Sequence, residues 1–168
     1  IALGNINPDW YGGFSNKIRF KNFTLSSLIS AQVGGEYYSY GRGYRLFFGT
    51  DARSLAGREN GIVEEGINEH TGFAIFSNEI ATDIILDATN VKLREVALTF
   101  ELPKKMLKNT FIQSATLSAV GRNLLFLYNA AEDIDPEATY SSGPTSTAFE
   151  HSSLPSTRSY GMNLKINF

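Results

Sequence analysis

Residues Ser159 to Phe168 alternate without a break between apolar and polar side chains. Tyr160, Met162, Leu164, Ile166 and Phe168 fall on one side of an extended strand, and Ser159, Gly161, Asn163, Lys165 and Asn167 on the other, because successive side chains point to opposite faces. A strand of about 9–11 residues is what a tilted transmembrane β-strand needs to cross the hydrocarbon. The last residue, Phe168, is aromatic, whereas the ends of soluble domains tend to be polar and frayed. The segment near 158–168 therefore reads as the closing strand of an outer-membrane β-barrel.

Four further segments alternate in the same way. Near 10–20, Phe14, Ile18 and Phe20 oppose Tyr11, Gly13, Ser15, Lys17 and Arg19. Near 23–35, Phe23, Leu25, Ile29, Ala31 and Val33 oppose Thr24, Ser26, Leu28, Ser30 and Gln32. Near 91–102, Val96, Leu98 and Phe100 oppose Glu95, Ala97, Thr99 and Glu101. Near 112–128, Ala115, Leu117 and Ala119 oppose Thr116, Ser118 and Arg122, and the alternation then breaks near Gly121-Asn123, where a β-bulge is expected. Lys21-Asn22 reads as a tight reversal, with Asn supplying the tolerance of positive φ.

The connections are unequal. Lys21-Asn22 and Pro103–Thr110 are short, while 37–90 and 129–157 are long. Short turns on one rim and long extracellular loops on the other are the pattern of outer-membrane barrels. Charge follows the same division. The proposed lipid-facing sets (Phe14, Ile18, Phe20; Leu25, Ile29; Val96, Leu98, Phe100; Leu117; Tyr160, Met162, Leu164, Ile166, Phe168) contain no Lys, Arg, Asp or Glu. The opposite, lumen-facing sets hold Lys17, Arg19, Glu95, Glu101, Arg122 and Lys165. A Lys or Arg facing lipid at midplane would cost roughly 2–4 kcal/mol. The same alternation would also suit a half-buried soluble sheet, so a soluble β-sandwich binding module stands as an alternative.

The fold class is thus all-β, an antiparallel transmembrane barrel to which residues 1–168 contribute about five C-terminal strands. So few strands do not close, since the smallest bacterial barrels have about 8. An open edge in lipid leaves backbone groups unsatisfied at several kcal/mol each. The chain is expected to complete a larger barrel. Ile1 is not a start methionine, and no charged segment followed by an apolar one opens the chain.

Composition changes this picture little. Twelve Phe and eight Tyr among 168 residues suit the aromatic girdles of membrane barrels. The formal charge of -2 gives no support to nucleic-acid binding. Without cysteine there is no disulfide framework and no Cys-based metal site. No apolar run approaches the roughly 18 residues of a membrane helix, and barrel strands do not need one. Asp133, Asp135 and Glu137 offer alternate carboxylates that could hold calcium, but Pro136 and a missing Gly and distal Glu depart from an EF-hand, and a solvated loop with a Pro turn is the simpler reading. His70 and His151 are isolated in separate loops and predict no metal site. No Ser-His-Asp arrangement or paired-carboxylate cleft predicts an enzyme, so neither catalytic residue nor cofactor is assigned. Ser77 could cap a short helix with Ile80, Ile84 and Ile85 on one face.

The order of motifs resembles the carboxyl-terminal part of SusC/RagA-type TonB-dependent outer-membrane transporters. The stretches that carry it are Leu3-Gly-Asn-Ile-Asn-Pro-Asp-Trp-Tyr-Gly-Gly-Phe14, Phe20-Lys-Asn-Phe-Thr-Leu25, Gly34-Gly35, Gly57-Arg58 and Gly61-Ile-Val-Glu-Glu-Gly66. Further along come Asp87-Ala-Thr-Asn-Val-Lys-Leu-Arg-Glu-Val96, Leu102-Pro-Lys-Lys105, Gly121-Arg-Asn-Leu124, Asp135-Pro-Glu137 and Arg158-Ser-Tyr-Gly161. The resemblance implies a barrel of about 22 strands with a plugged lumen. It implies an importer of oligosaccharides or oligopeptides in the bacterial outer membrane, working with the remainder of the barrel and plug, a SusD-like surface lipoprotein and the TonB complex. It also implies that Phe168 is the signal read by the barrel-assembly machinery. In that setting Tyr37, Tyr38, Tyr40 and Tyr44 are candidate substrate-binding residues, able to stack on sugar rings or peptide side chains; an interfacial girdle is the plainer reading. The alternative within the membrane is a non-transporting barrel that anchors surface proteins.

Overall fold

The computed structural model describes residues 4–52, 84–138 and 148–168. The described residues divide into two compact units. One, drawn from Trp10–Gln32, Asn90–Asn129 and Ser156–Phe168, is a five-stranded antiparallel sheet. Its strands are β1 (Trp10–Phe20), β2 (Phe23–Val33), β5 (Asn90–Glu101), β6 (Ser114–Asn129) and β8 (Ser159–Asn167), hydrogen-bonded in that order.

The register shows how the alternation of each strand combines across the sheet. Leu25 pairs with Leu98, Leu98 with Ala119, and Ala119 with Met162. The next row on that face is Phe23, Phe100, Leu117 and Leu164, with the Phe23 and Phe100 rings 4.8 Å apart. Between these rows, on the other face, lie Thr24, Thr99, Ser118 and Asn163. One face is therefore apolar and the other polar. The apolar face is solvent-exposed: Leu98 is 48% and Leu164 61% accessible.

Strict alternation back from Val96 would place Arg94 and Lys92 among these apolar rows. The structure avoids this. Leu28 pairs with Glu95 but Ile29 pairs with Leu93, so the register skips Arg94. One inserted residue shifts every following side chain to the opposite face. Lys92 then pairs with Ser30 on the polar face, and Arg94 Nε donates to Ser30 Oγ at 2.6 Å. Strand β6 is irregular at the same level, where Asn123 has φ 51. Asn is one of the few residues that visit this region readily. The bulge expected near Gly121-Asn123 thus falls at Asn123.

The short connections differ in detail from the sequence reading. In the β1–β2 reversal positive φ falls on Lys21 (φ 54), not on Asn22. Asn22 instead donates from Nδ2 to the Glu101 carbonyl at 2.9 Å and accepts from Glu101 N–H at 2.9 Å, which fixes it to β5. The β5–β6 link contains a single helical turn, Lys104–Leu107, with Leu107 buried.

The second unit is formed by the described residues of Ile1–Asp9, Val33–Thr89 and Ala130–Pro155. It contains β3 (Glu36–Ser39), the helix α1 (Tyr40–Phe47), β4 (Ile85–Asp87) and β7 (Phe149–Glu150). Its small sheet has β3 between β4, antiparallel, and β7, parallel. Tyr37 and Tyr38 alternate across β3. Tyr37 packs with Leu86, Ala88 and Ala131, while Tyr38 packs against Leu46 and Ile84. Of the helix expected after Ser77, Ile84 is buried and Ile85 belongs to a strand; Ser77 and Ile80, like His70, lie outside the described residues.

Candidate functional site

In the β3/α1/β7 unit, chemistry gathers around the start of α1. Gly41 and Gly43 are poor helix formers, so this helix depends on its cap. Ser39 Oγ accepts from Arg42 N–H at 3.1 Å and donates to Glu150 Oε2 at 2.6 Å. The same Glu150 oxygen accepts from Gly41 N–H at 3.2 Å, and its Oε1 accepts from Ser153 N–H at 3.1 Å. A Cβ at position 41 would lie 2.7 Å from Glu150 Oε2, so a larger residue there would displace this carboxylate.

Two arginines one turn apart on α1 hold the loop that follows β6. Arg42 Nη2 donates to the Ala131 carbonyl at 2.9 Å and to Asp133 Oδ1 at 3.1 Å. Arg45 Nη2 lies 2.6 Å from Asp133 Oδ2 and 3.7 Å from Asp51 Oδ2. Partial burial pushes the Asp133 carboxyl up, but the charge of Arg45 and the hydrogen bond from Arg42 outweigh it and hold the group below its ordinary value. Tyr37 is shifted the other way, its hydroxyl raised chiefly by burial, against the influence of Arg42.

The Asp133 shift has a definite sign. A depressed carboxylate stabilises the fold above its unfolded value and loses that contribution as pH falls through the folded one. The tie between α1 and residues 131–133 is expected to hold at neutral pH and to loosen below about pH 4. Hydrogen exchange of the α1 amides, corrected for intrinsic rates, should show this loosening, and Asp133→Asn should abolish its pH dependence. A profile that Asp133→Asn leaves unchanged assigns the loosening elsewhere.

The four tyrosines have separate fates. Tyr37 is 3% exposed and belongs to the core. Tyr38 meets Tyr40 edge-on at 4.7 Å. Tyr40 and Tyr44, four residues apart on α1, share a helix face. Both meet His151, at 5.0 Å and 5.8 Å between ring centroids, and Tyr44 stacks on Phe48 at 6.4 Å. The structure thus brings His151 to the tyrosines, a meeting across more than 100 residues of chain that spacing does not reveal. Arg42, Arg45 and Glu150 went unnoticed in the sequence for the same reason. The Asp133–Glu137 segment folds around Pro136: Asp135 Oδ1 accepts from Glu137 N–H at 2.9 Å. Among the described residues, no three His, Asp or Glu side chains are grouped to hold a metal.

On the five-stranded sheet the charged residues share the polar face. Arg19 Nη2 lies 2.6 Å from Glu101 Oε2, and Arg122 Nε 2.8 Å from Glu95 Oε2. Glu101 pairs with Thr116 and Thr116 with Lys165. Lys17 is exposed on β1. Lys92 is 1% exposed, its Nζ donating to Ser156 Oγ at 2.5 Å and lying 4.6 Å from the Phe126 ring centroid. Phe111 and Phe168 stack at 5.5 Å.

Comparison with known proteins gives one consistent answer, although no family model matches the chain. It is 29% identical over 173 residues to TonB-dependent receptor P3 of Formosa agariphila, covering 99% of this chain and 17% of that protein. TonB-dependent receptor P26 of the same organism is 23% identical over 176 residues, covering 100% of this chain and 18% of the other. Among solved structures, the RagAB peptide transporter matches with a TM-score of 0.70 at 19% identity, over 97% of this chain and 17% of that one. The RagAB peptide importer in its closed-closed state gives 0.69 at 17% identity, over 97% and 18%. The chain spans less than a fifth of the length of these relatives. The resemblance to SusC/RagA-type TonB-dependent transporters is borne out.

Proposed function

We propose that this chain, SusC/RagA-like in sequence and fold, forms part of the barrel wall and the outward loops of a TonB-dependent nutrient importer in the bacterial outer membrane. The observation that carries the reading is the two-faced five-stranded sheet. Rows such as Leu25–Leu98–Ala119–Met162 are exposed, and a contiguous apolar surface of this kind is rare on a water-soluble monomer. Against lipid it is at its lowest energy, while Arg19, Glu95, Glu101, Arg122 and Lys165 would turn to a wet lumen. The soluble sandwich alternative requires this face to be buried. The remaining strands of a barrel would satisfy the outer edges of β1 and β8.

The cargo we assign is an oligopeptide or oligosaccharide, captured between the loops and a SusD-like lipoprotein and released inward when TonB rearranges the plug. The described part of the chain contributes wall and loops to that cycle and no catalytic group. Uptake of fluorescent oligopeptides and oligosaccharides by cells carrying the full-length gene tests it. Uptake should cease on deleting the gene and on discharging the proton gradient that drives TonB. Surface binding of a lipoprotein without energised uptake of either cargo would instead favour an anchoring barrel.

A further inference from the structure

Basic and aromatic side chains collect at one end of the five-stranded sheet. Strand β1 ends there at Phe20, β2 begins at Phe23, β5 ends at Glu101, β6 begins at Ser114 and β8 ends at Asn167. We propose that this end is a docking surface for anionic phospholipid, with the lysines of its two short connections on the headgroup phosphates and the neighbouring Phe and Met side chains among the acyl chains. The proposal rests on the barrel reading and adds a lipid partner to it.

Charge at this end is one-sided. Across 14–25, 98–117 and 162–168 the single acidic residue is Glu101, and Arg19 occupies it at 2.6 Å. Lys21, Lys104, Lys105 and Lys108 are exposed, and among the described residues none of them has a carboxylate partner. The whole chain carries a formal charge of -2, so this excess of cations is local. Lysines clustered beside a membrane-crossing segment attract anionic headgroups, and the attraction fades within a Debye length.

Ring contacts independently tie both connections to the apolar face. Phe168 continues the alternation of Leu164 and Ile166, and Leu164 lies in the row with Phe23, Phe100 and Leu117. Phe111, beyond the helical turn of the β5–β6 link, stacks on Phe168 at 5.5 Å. Phe20 and Phe23 flank the two-residue reversal, which puts them on the same face, and Lys21 Nζ lies 5.3 Å from the Phe20 ring centroid. The connections therefore lean toward the side read as lipid-facing. Phe111 is 79% and Met106 67% exposed. At a bilayer surface these apolar groups meet acyl chains, while the lysine stems lie along them and carry the ammonium groups to the phosphates. Because β5 and β6 are interior strands of the sheet, further barrel strands would join at β1 and β8 and leave the link between β5 and β6 uncovered. Short turns mark the periplasmic rim of such barrels, so the lipid is that of the inner leaflet.

The test places the full-length receptor in phosphatidylcholine nanodiscs doped with photoactivatable phosphatidylglycerol or, in parallel, photoactivatable phosphatidylcholine. Label on residues 98–117 is measured by mass spectrometry as a share of label on the whole receptor. Phosphatidylglycerol should mark this segment about tenfold more than phosphatidylcholine, and the ratio should collapse at about 1 M NaCl. Combining Lys104→Gln, Lys105→Gln and Lys108→Gln should reduce the preference to about threefold or less. The comparison on the unaltered receptor stands even where the variant does not assemble. Equal labelling by the two lipids overturns the proposal, and so does a preference that the variant keeps in full. Equal labelling with lysine-dependent retention on purified peptidoglycan assigns the lysines to the wall polymer and overturns it as well. Equal labelling with proton-gradient-dependent uptake retained removes the lipid surface and leaves the importer. A tenfold preference without energised uptake does the reverse.

Discussion

Leu98→Arg is expected to remove the full-length protein from the outer membrane, whereas Thr99→Arg, one residue further along, leaves it assembled. Leu98 lies on the apolar face of β5, in the row with Leu25, Ala119 and Met162. If that row meets acyl chains, an arginine there costs roughly 2–4 kcal/mol, a large share of the stability of an ordinary protein. Thr99 lies on the polar face with Thr24, Ser118 and Asn163, and its hydroxyl is 3.0 Å from that of Ser118. Replacing it loses about 1 kcal/mol of hydrogen bonding and leaves the new charge hydrated. The readout is the fraction of protein in outer-membrane fractions that resists unfolding on unboiled gels. Equal assembly of both variants, or a larger defect for Thr99→Arg, contradicts the assignment of faces.

The second large effect is expected at Glu150→Ala. Three donors converge on this carboxylate: the Ser39 hydroxyl, the Gly41 amide and the Ser153 amide. A buried donor deprived of its acceptor costs about 1–3 kcal/mol, and the two part-buried amides lose less than the buried Ser39 hydroxyl, so the loss is on the order of 3 kcal/mol. Because Ser39 also caps α1, the loss should concentrate there. Amide exchange across Tyr40–Phe47 should accelerate about a hundredfold, at roughly 1.4 kcal/mol per factor of ten. Lys104→Ala, at an exposed lysine, serves as the control. Exchange that is indistinguishable between the two variants would show that α1 does not depend on Glu150.

How far the chain could be read in advance depended on the range of the interactions. The long strands were legible because an alternation such as Tyr160, Met162, Leu164 and Ile166 is a local property with a period of two. The break near Asn123 was legible too, since the alternation fails there. Arg94 was not. Its bulge is defined by partners in β2 and β6, and the sequence shows only two cations where alternation would place oil. Helix α1 was hidden by Gly41 and Gly43, whose weak propensity is offset by Glu150 on β7. Tyr37, on β3, goes into the core with Leu86, Ala88 and Ala131, while Tyr40 and Tyr44 on α1 come together on His151. A list of four nearby tyrosines cannot separate these fates.

The irregularities in β5 and β6 have a consequence for shape. From Asn90 to Glu101 strand β5 advances eleven steps, while its partner covers thirteen, from Thr116 to Asn129. The two surplus residues of β6 have no added ladder to follow, so their length goes into local bending and twist. A hoop closed from sheet must acquire curvature somewhere. In the barrel proposed above, part of that curvature would come from the unequal contour lengths of two adjacent staves.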